Sequence, residues 1–158
     1  MKIDFFQTEN GMDPRAIKGG VYQVELIMEG KKPICLYIGE SVWIASRCGK
    51  HIYSLYDNPA YFGLKPEDLM NEKLTIRFSV LDEIKEKKSE LGVGSYKEQE
   101  LKAIKEYEPI TQLKTSDRQI YKIDDKIKKV QNALISNGYK ASVWAEHNFI
   151  TNLRSTLA

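Results

Sequence analysis

The chain has 158 residues, 42% hydrophobic content and a formal net charge of +2, which suits one domain with its own core and excludes a strongly basic tail. Any nucleic-acid contact therefore has to come from a local patch, not from the overall field. Met1 to Asn10 is too polar for a signal peptide and no apolar run approaches a membrane span, so the expectation is a soluble cytoplasmic protein; its two cysteines, Cys35 and Cys48, suit buried reduced thiols, and with two histidines they argue against a structural zinc site.

Residues 1–17 hold a short apolar start, Ile3-Asp4-Phe5-Phe6, and then the turn-rich Asn10-Gly11-Met12-Asp13-Pro14. They read as an arm packing on the core. Two β-rich runs follow, Val21 to Met28 and Pro33 to Gly39, around the polar break Glu29-Gly30-Lys31-Lys32, where glycine permits the positive φ of a tight turn. A hairpin register that sets Tyr22 opposite or diagonal to Tyr37 brings both rings to one sheet face, whereas a slip of one residue separates them. Ser41 is a suitable N-cap for a helix with the core stripe Ile44, Cys48, Ile52 and Leu55. On a neighbouring face Arg47 and His51, four residues apart, share one side.

Gly20-Val21-Tyr22, then Tyr37-Ile38-Gly39, then Arg47 and His51 form a pattern that resembles the GIY-YIG nuclease family. Val21 replaces the usual Ile, and the second triplet is unchanged. In that family an Arg follows the second triplet's Tyr by about ten positions, with a His or Tyr four later. The resemblance implies a core over residues 18–113.

Tyr56 to Glu72, with Asn58-Pro59, Gly63 and Lys65-Pro66, reads as a loop with one short helix at Pro66 to Met70. Leu74, Ile76, Phe78 and Val80 alternate with Thr75, Arg77 and Ser79, a half-buried strand that completes a three-stranded antiparallel sheet. Asp82 to Glu90 is charge-dense, and Gly92-Val93-Gly94 closes it. Ser95 and Glu98 make a capping box for a helix that runs to about Tyr107 and is stopped by Pro109. Glu100 on that helix, with Ile104 and Pro109 after it, resembles the family's metal-binding Glu and its surroundings.

Thr115 or Ser116 can cap a last helix with the stripe Ile120, Ile123, Ile127, Val130 and Leu134, ended by Asn137-Gly138. Away from the stripe, Arg118, Lys122, Lys126 and Lys129 make a basic row that is either a solvated face or a phosphate-tracking one. Lys31, Lys32, Arg47 and Lys50 are the other cations placed to meet nucleic acid. Trp144, Phe149, Ile150 and Leu153 near the end are spaced for a core or a homodimer contact, and His147 reads as a surface or satisfied histidine.

The fold class is thus α+β: a small three-stranded antiparallel sheet flanked by helices, with an arm at 1–17, a nuclease-like domain at 18–113 and a helical extension at 114–158 packed on it. The resemblance implies a metal-dependent endonuclease acting on DNA, of phage, mobile-element or restriction-repair type. Glu100 would hold one Mg²⁺ or Mn²⁺, Arg47 would face the scissile phosphate, and Tyr22 would act as base, its phenolate stabilised by the metal and by Arg47. Tyr37 would orient water or phosphate, His51 would share the proton work, and Gly39 and Gln112 would support the site. Gln112 stands where many members have Asn, and Glu40 follows the second triplet where some have Lys. These departures motivate the alternative, a DNA-binding or regulatory module with the fold and little or no turnover.

Overall fold

The computed structural model describes residues 1–82, 95–111 and 123–139. Strand β1 (Lys2–Phe5) leads into a small hairpin of β2 (Gln7–Thr8) and β3 (Gly11–Met12), then a 3-10 turn at Pro14–Ile17. The long hairpin β4 (Gly20–Met28) and β5 (Ile34–Ser41) is followed by α1 (Ile44–Asp57), a 3-10 turn at Pro59–Phe62 and the short α2 (Pro66–Leu69). Strand β6 (Leu74–Val80) and the helices α3 (Tyr96–Tyr107) and α4 (Ile123–Ser136) complete the described elements.

The class is α+β, but the main sheet has four strands in the order β1-β6-β4-β5. β4 runs antiparallel to both β5 and β6, and β1 lies parallel to β6 with Ile3 opposite Ile76 and Phe5 opposite Phe78. The three-stranded antiparallel expectation is corrected by that extra strand. Its cause is twofold. The β6 edge has backbone groups to satisfy, and Phe5 and Phe6 have rings to bury, which they stack on Phe78 at centroid distances of 5.7 and 6.3 Å. The Met1 amino group is held as well, donating to Leu69 O at 2.6 Å.

Both sheet faces are covered. On one, Tyr22, Val24 and Leu26 pack with Ile44, Cys48 and Leu55 of α1, with Phe62 and Leu64, and with Val130 and Leu134 of α4. On the other, Val21 and Ile38 pack under Ala103 of α3. The hydroxyl of Ser95 accepts the Glu98 N–H at 3.3 Å and starts α3 where the sequence predicts. After α3 the chain returns to β5, where the Ile110 and Thr111 amides donate to Cys35 O and Leu36 O at 3.0 and 3.1 Å, covering that edge.

α1 begins later than predicted, because β5 extends through Ser41. Ser41 caps no helix; its hydroxyl accepts from Trp43 N at 3.0 Å and donates to Trp43 O at 2.9 Å, while the Ile44 amide donates to Lys18 O at 3.0 Å. Within α1 the buried stripe is Ile44, Cys48, His51 and Leu55, with Ile52 only half-buried. His51 therefore belongs to the buried stripe itself and not to a face beside it, while Arg47, four residues earlier, is exposed.

α4 docks on the 3-10 turn at Pro59–Phe62 through Gly63, whose φ is 70° and whose absent Cβ would lie 2.5 Å from Lys126 O. Asp68, 1% exposed, ties the same region together by accepting from Lys65 N at 2.8 Å, Gln131 Nε2 at 2.9 Å and Tyr139 Oη at 2.9 Å. Of the predicted α4 stripe, Ile127, Val130 and Leu134 are buried, but Ile123 is 44% exposed at the first turn. The free cysteines are Cys35, half-buried, and Cys48, buried. No helix of the described residues is long and apolar enough to cross a membrane.

Candidate active site

The hairpin register decides whether the two tyrosines meet. Tyr22 pairs with Gly39 and Val24 with Tyr37, which sets the two tyrosines diagonal on one face with ring centroids 6.2 Å apart. Between Val24 and Glu25 the register shifts, so that Glu25 faces Cys35 and Leu36 is the extra residue of a bulge. Beyond the bulge the pairing is therefore not the one that serves the tyrosines. Gly39 is the residue that this arrangement needs small: a Cβ there would lie 2.5 Å from Tyr22 Cζ and 2.8 Å from Tyr37 Cε1.

α1 delivers the third group. His51 is 8% exposed, and its Nε2 lies 2.7 Å from Tyr22 Oη. Its ring sits 5.3 Å from that of Tyr37 and 5.7 Å from that of Phe62, which closes it in edge-on. Burial, and secondarily the Arg47 charge, pushes the imidazole down to about 4. Burial also pushes the Tyr22 phenol far up, with Tyr37, Cys48 and Glu100 adding to the rise and Arg47 opposing it. At neutral pH a neutral phenol and a neutral imidazole thus share this hydrogen bond, and the imidazole tautomer sets which of Oη and Nε2 donates. Tyr37 is pushed up to about 12, first by burial and then by Glu100 and Tyr61. Neither phenol is ionised at rest, since Arg47 alone does not offset desolvation.

Arg47 and Glu100 flank this cluster. Arg47 is exposed on α1, yet its charge acts on Tyr22, Tyr37 and His51. Glu100 is 6% exposed on α3, acts on both phenols, and forms an ion pair with Lys97. Glu40 pairs with Val21 and so shares its face, opposite to that of Tyr22 and Gly39. Lys50 is exposed one turn beyond Arg47.

Of the predicted basic row, Lys126 and Lys129 fall among the described residues. Lys126 is half-buried, with Nζ 4.6 Å from the Tyr61 ring centroid and donating to Tyr61 O at 3.3 Å, and burial lowers its pKa. Lys129 is exposed. Arg118, Lys122 and Gln112 lie outside the described residues, as do the cap at Thr115 or Ser116, Ile120, the 83–94 stretch and Trp144, His147, Phe149, Ile150 and Leu153.

Four neighbours of the cluster were not singled out by the sequence. Tyr61 acts on Tyr37, Phe62 packs on His51, Lys97 pairs with Glu100, and the Thr111 hydroxyl donates to Leu36 O at 2.6 Å beside the bulge. An aromatic pair inside a Pro- and Gly-bounded loop is the signal that could have found Tyr61 and Phe62, because such rings need a surface to cover.

No protein-family model, no curated protein and no solved structure matches the chain. Among the described residues no group of three or more His, Cys, Asp or Glu gathers to hold a metal. Glu100 offers one hard carboxylate in a buried setting. That donor set does not suit zinc, but it fits Mg²⁺ or Mn²⁺, which keep several waters and take further ligands from phosphate oxygens.

Proposed function

We propose that the protein is a GIY-YIG-type endonuclease that hydrolyses DNA phosphodiester bonds with one divalent cation, Mg²⁺ or Mn²⁺. The observation that carries this is the buried Tyr22–His51 hydrogen bond of 2.7 Å with Tyr37 against it. A phenol held to a neutral imidazole, beside a guanidinium and a buried carboxylate, is a proton-accepting and phosphate-binding set with no evident purpose in a core. The antiparallel arrangement of β4, β5 and β6 with helices packed on it is the core that the resemblance implies, with β1 as an added strand.

When bound, a cation on Glu100 would supply charge stabilisation to the phosphoryl oxygens and to the leaving 3′ oxygen. Arg47 binds the scissile phosphate with its fork of donors and matches the charge that grows in the transition state. Tyr37 orients the attacking water. As the water oxygen bonds to phosphorus and the bond to the 3′ oxygen breaks, the water's proton passes to Tyr22 Oη and the Tyr22 proton to His51 Nε2; the 3′ oxygen takes a proton from solvent. His51 near 4 is a weak acceptor alone, and the negative charge of bound DNA is what raises it.

Plasmid nicking with Mg²⁺ or Mn²⁺ tests the proposal, and Glu100→Gln should abolish it while leaving fold and DNA binding nearly intact. Full activity in that variant sinks the single-cation mechanism. The Lys97–Glu100 ion pair favours a second reading, since it already neutralises the carboxylate. In that case the protein is a DNA-binding or regulatory module without turnover, and DNA is bound but never nicked.

A further inference from the structure

α1 buries one side and leaves the other uncovered. Along the uncovered side Trp43, Arg47, Lys50 and Tyr53 follow at spacings of four, three and three residues, so they wind along the helix from its N-cap to its third turn. Trp43 is 57% and Tyr53 72% exposed, and both cations between them are exposed. Among the described residues neither cation makes a salt bridge. The helix carries one acid, Asp57, and it is the last residue.

Two cations between two rings, with no carboxylate among them, match a ligand that carries both flat apolar faces and anions. A nucleic-acid strand is such a ligand. Its bases stack on aromatic side chains and its phosphates meet Arg and Lys. A duplex hides its base faces in its own stack, so Trp43 and Tyr53 have partners only on an unpaired strand. The stripe also lies close to the catalytic cluster. Arg47 acts on Tyr22, Tyr37 and His51, and His51 lies on the same helix between Lys50 and Tyr53, so the stripe runs alongside the catalytic cluster, over about 15 Å from Trp43 at a helical rise of about 1.5 Å per residue.

We infer that this face of α1 is a track for an unpaired DNA strand beside the scissile phosphate, which makes single-stranded or branched DNA the substrate class. The inference rests on the proposed nuclease function for its link to cleavage, but the track itself is a binding property. It is tested on the full chain in EDTA, so that nothing is cut, by fluorescence anisotropy with oligo(dT), a blunt duplex of equal length and a duplex bearing a single-stranded flap. Oligo(dT) and the flap should bind at least about tenfold tighter than the blunt duplex. Trp43→Leu and Tyr53→Ser, both at exposed sites, should each raise the Kd for oligo(dT) about tenfold and change duplex affinity less than about twofold. Lys50→Gln should lower the salt slope for oligo(dT) by about 0.7. Oligo(dT) should quench tryptophan fluorescence, and the quench should vanish in Trp43→Leu although Trp144 remains. Equal affinity for single strand and duplex, or unchanged oligo(dT) binding in both aromatic variants, overturns the track. Failure of the nuclease reading looks different: the binding pattern holds and no condition yields a nick.

Discussion

His51 offers a test of the site that needs no substrate. Its native pKa of about 4 lies below the value of about 6.5 that the unfolded chain would show. Between those two values the unfolded chain binds more protons, so the stability held by the neutral imidazole is complete above about pH 6.5 and falls as the pH drops toward 4. A gap of about 2.5 units at about 1.36 kcal/mol each comes to about 3 kcal/mol, of which about 2.5 is lost by pH 4.5. The assay is urea unfolding near pH 7 and near pH 4.5 for the native chain and for His51→Gln, whose amide keeps a polar partner for Tyr22 but does not titrate. Carboxylates titrate in the same window in both proteins, so the difference between the two losses isolates His51. The native chain should lose about 2.5 kcal/mol more than the variant. Parallel losses would mean that His51 titrates as if in water, and the buried neutral pair with Tyr22 would be refuted.

Gly39→Ala should cost about 1–3 kcal/mol by overpacking and should break the Tyr22–His51 hydrogen bond, because its Cβ has to displace both tyrosine rings; chemical denaturation reads the first effect and nicking the second. Arg47→Ala should cut the single-turnover cleavage rate far more than it raises the Kd for DNA, as expected of a group that meets charge developing in the transition state. Rate and affinity falling in step would make Arg47 a binding residue only.

What was legible in the sequence were the features with a local cause. The β4–β5 turn follows from Gly30, with φ of 74° and Lys31 N donating to Met28 O at 2.9 Å. The diagonal Tyr22–Tyr37 contact follows from pleat and register, and α3 from Ser95. The failures share a different cause: each depended on a partner far along the chain. β1 pairs with a strand some seventy residues away, and a strand of four residues is too short for its alternation to name a partner. Ile52 outranks His51 on any apolar scale, but the Tyr22 hydroxyl inside the core gives the imidazole a hydrogen bond there, and the helix turns accordingly. Lys126 reads as one of four solvated cations until Gly63 brings α4 close enough for it to cover Tyr61. The Trp43 to Tyr53 stripe was visible as residues but not as a surface, because exposure is decided by what the rest of the fold leaves uncovered.

Lys97 bears on which of the two functions holds. Its side chain is 64% exposed whereas that of Glu100 is 7% exposed, so the pair joins a solvated ammonium to a buried carboxylate. Letting the lysine swing into water costs little on its own side, as for other exposed partners, but leaves a charge stranded in a dry place. A divalent cation fills that vacancy better than an ammonium does, since it brings two charges and its own waters. In the proposed enzyme Lys97 is therefore a placeholder that competes with the cation. Lys97→Met should then tighten Mn²⁺ binding, measured by titration calorimetry without DNA, and lower the Mn²⁺ concentration that gives half-maximal nicking. A permanent pair predicts the opposite: Lys97→Met would bind Mn²⁺ no better and would only lose stability, as a buried carboxylate without its counter-charge does, and the carboxylate would then belong to the fold and not to a reaction.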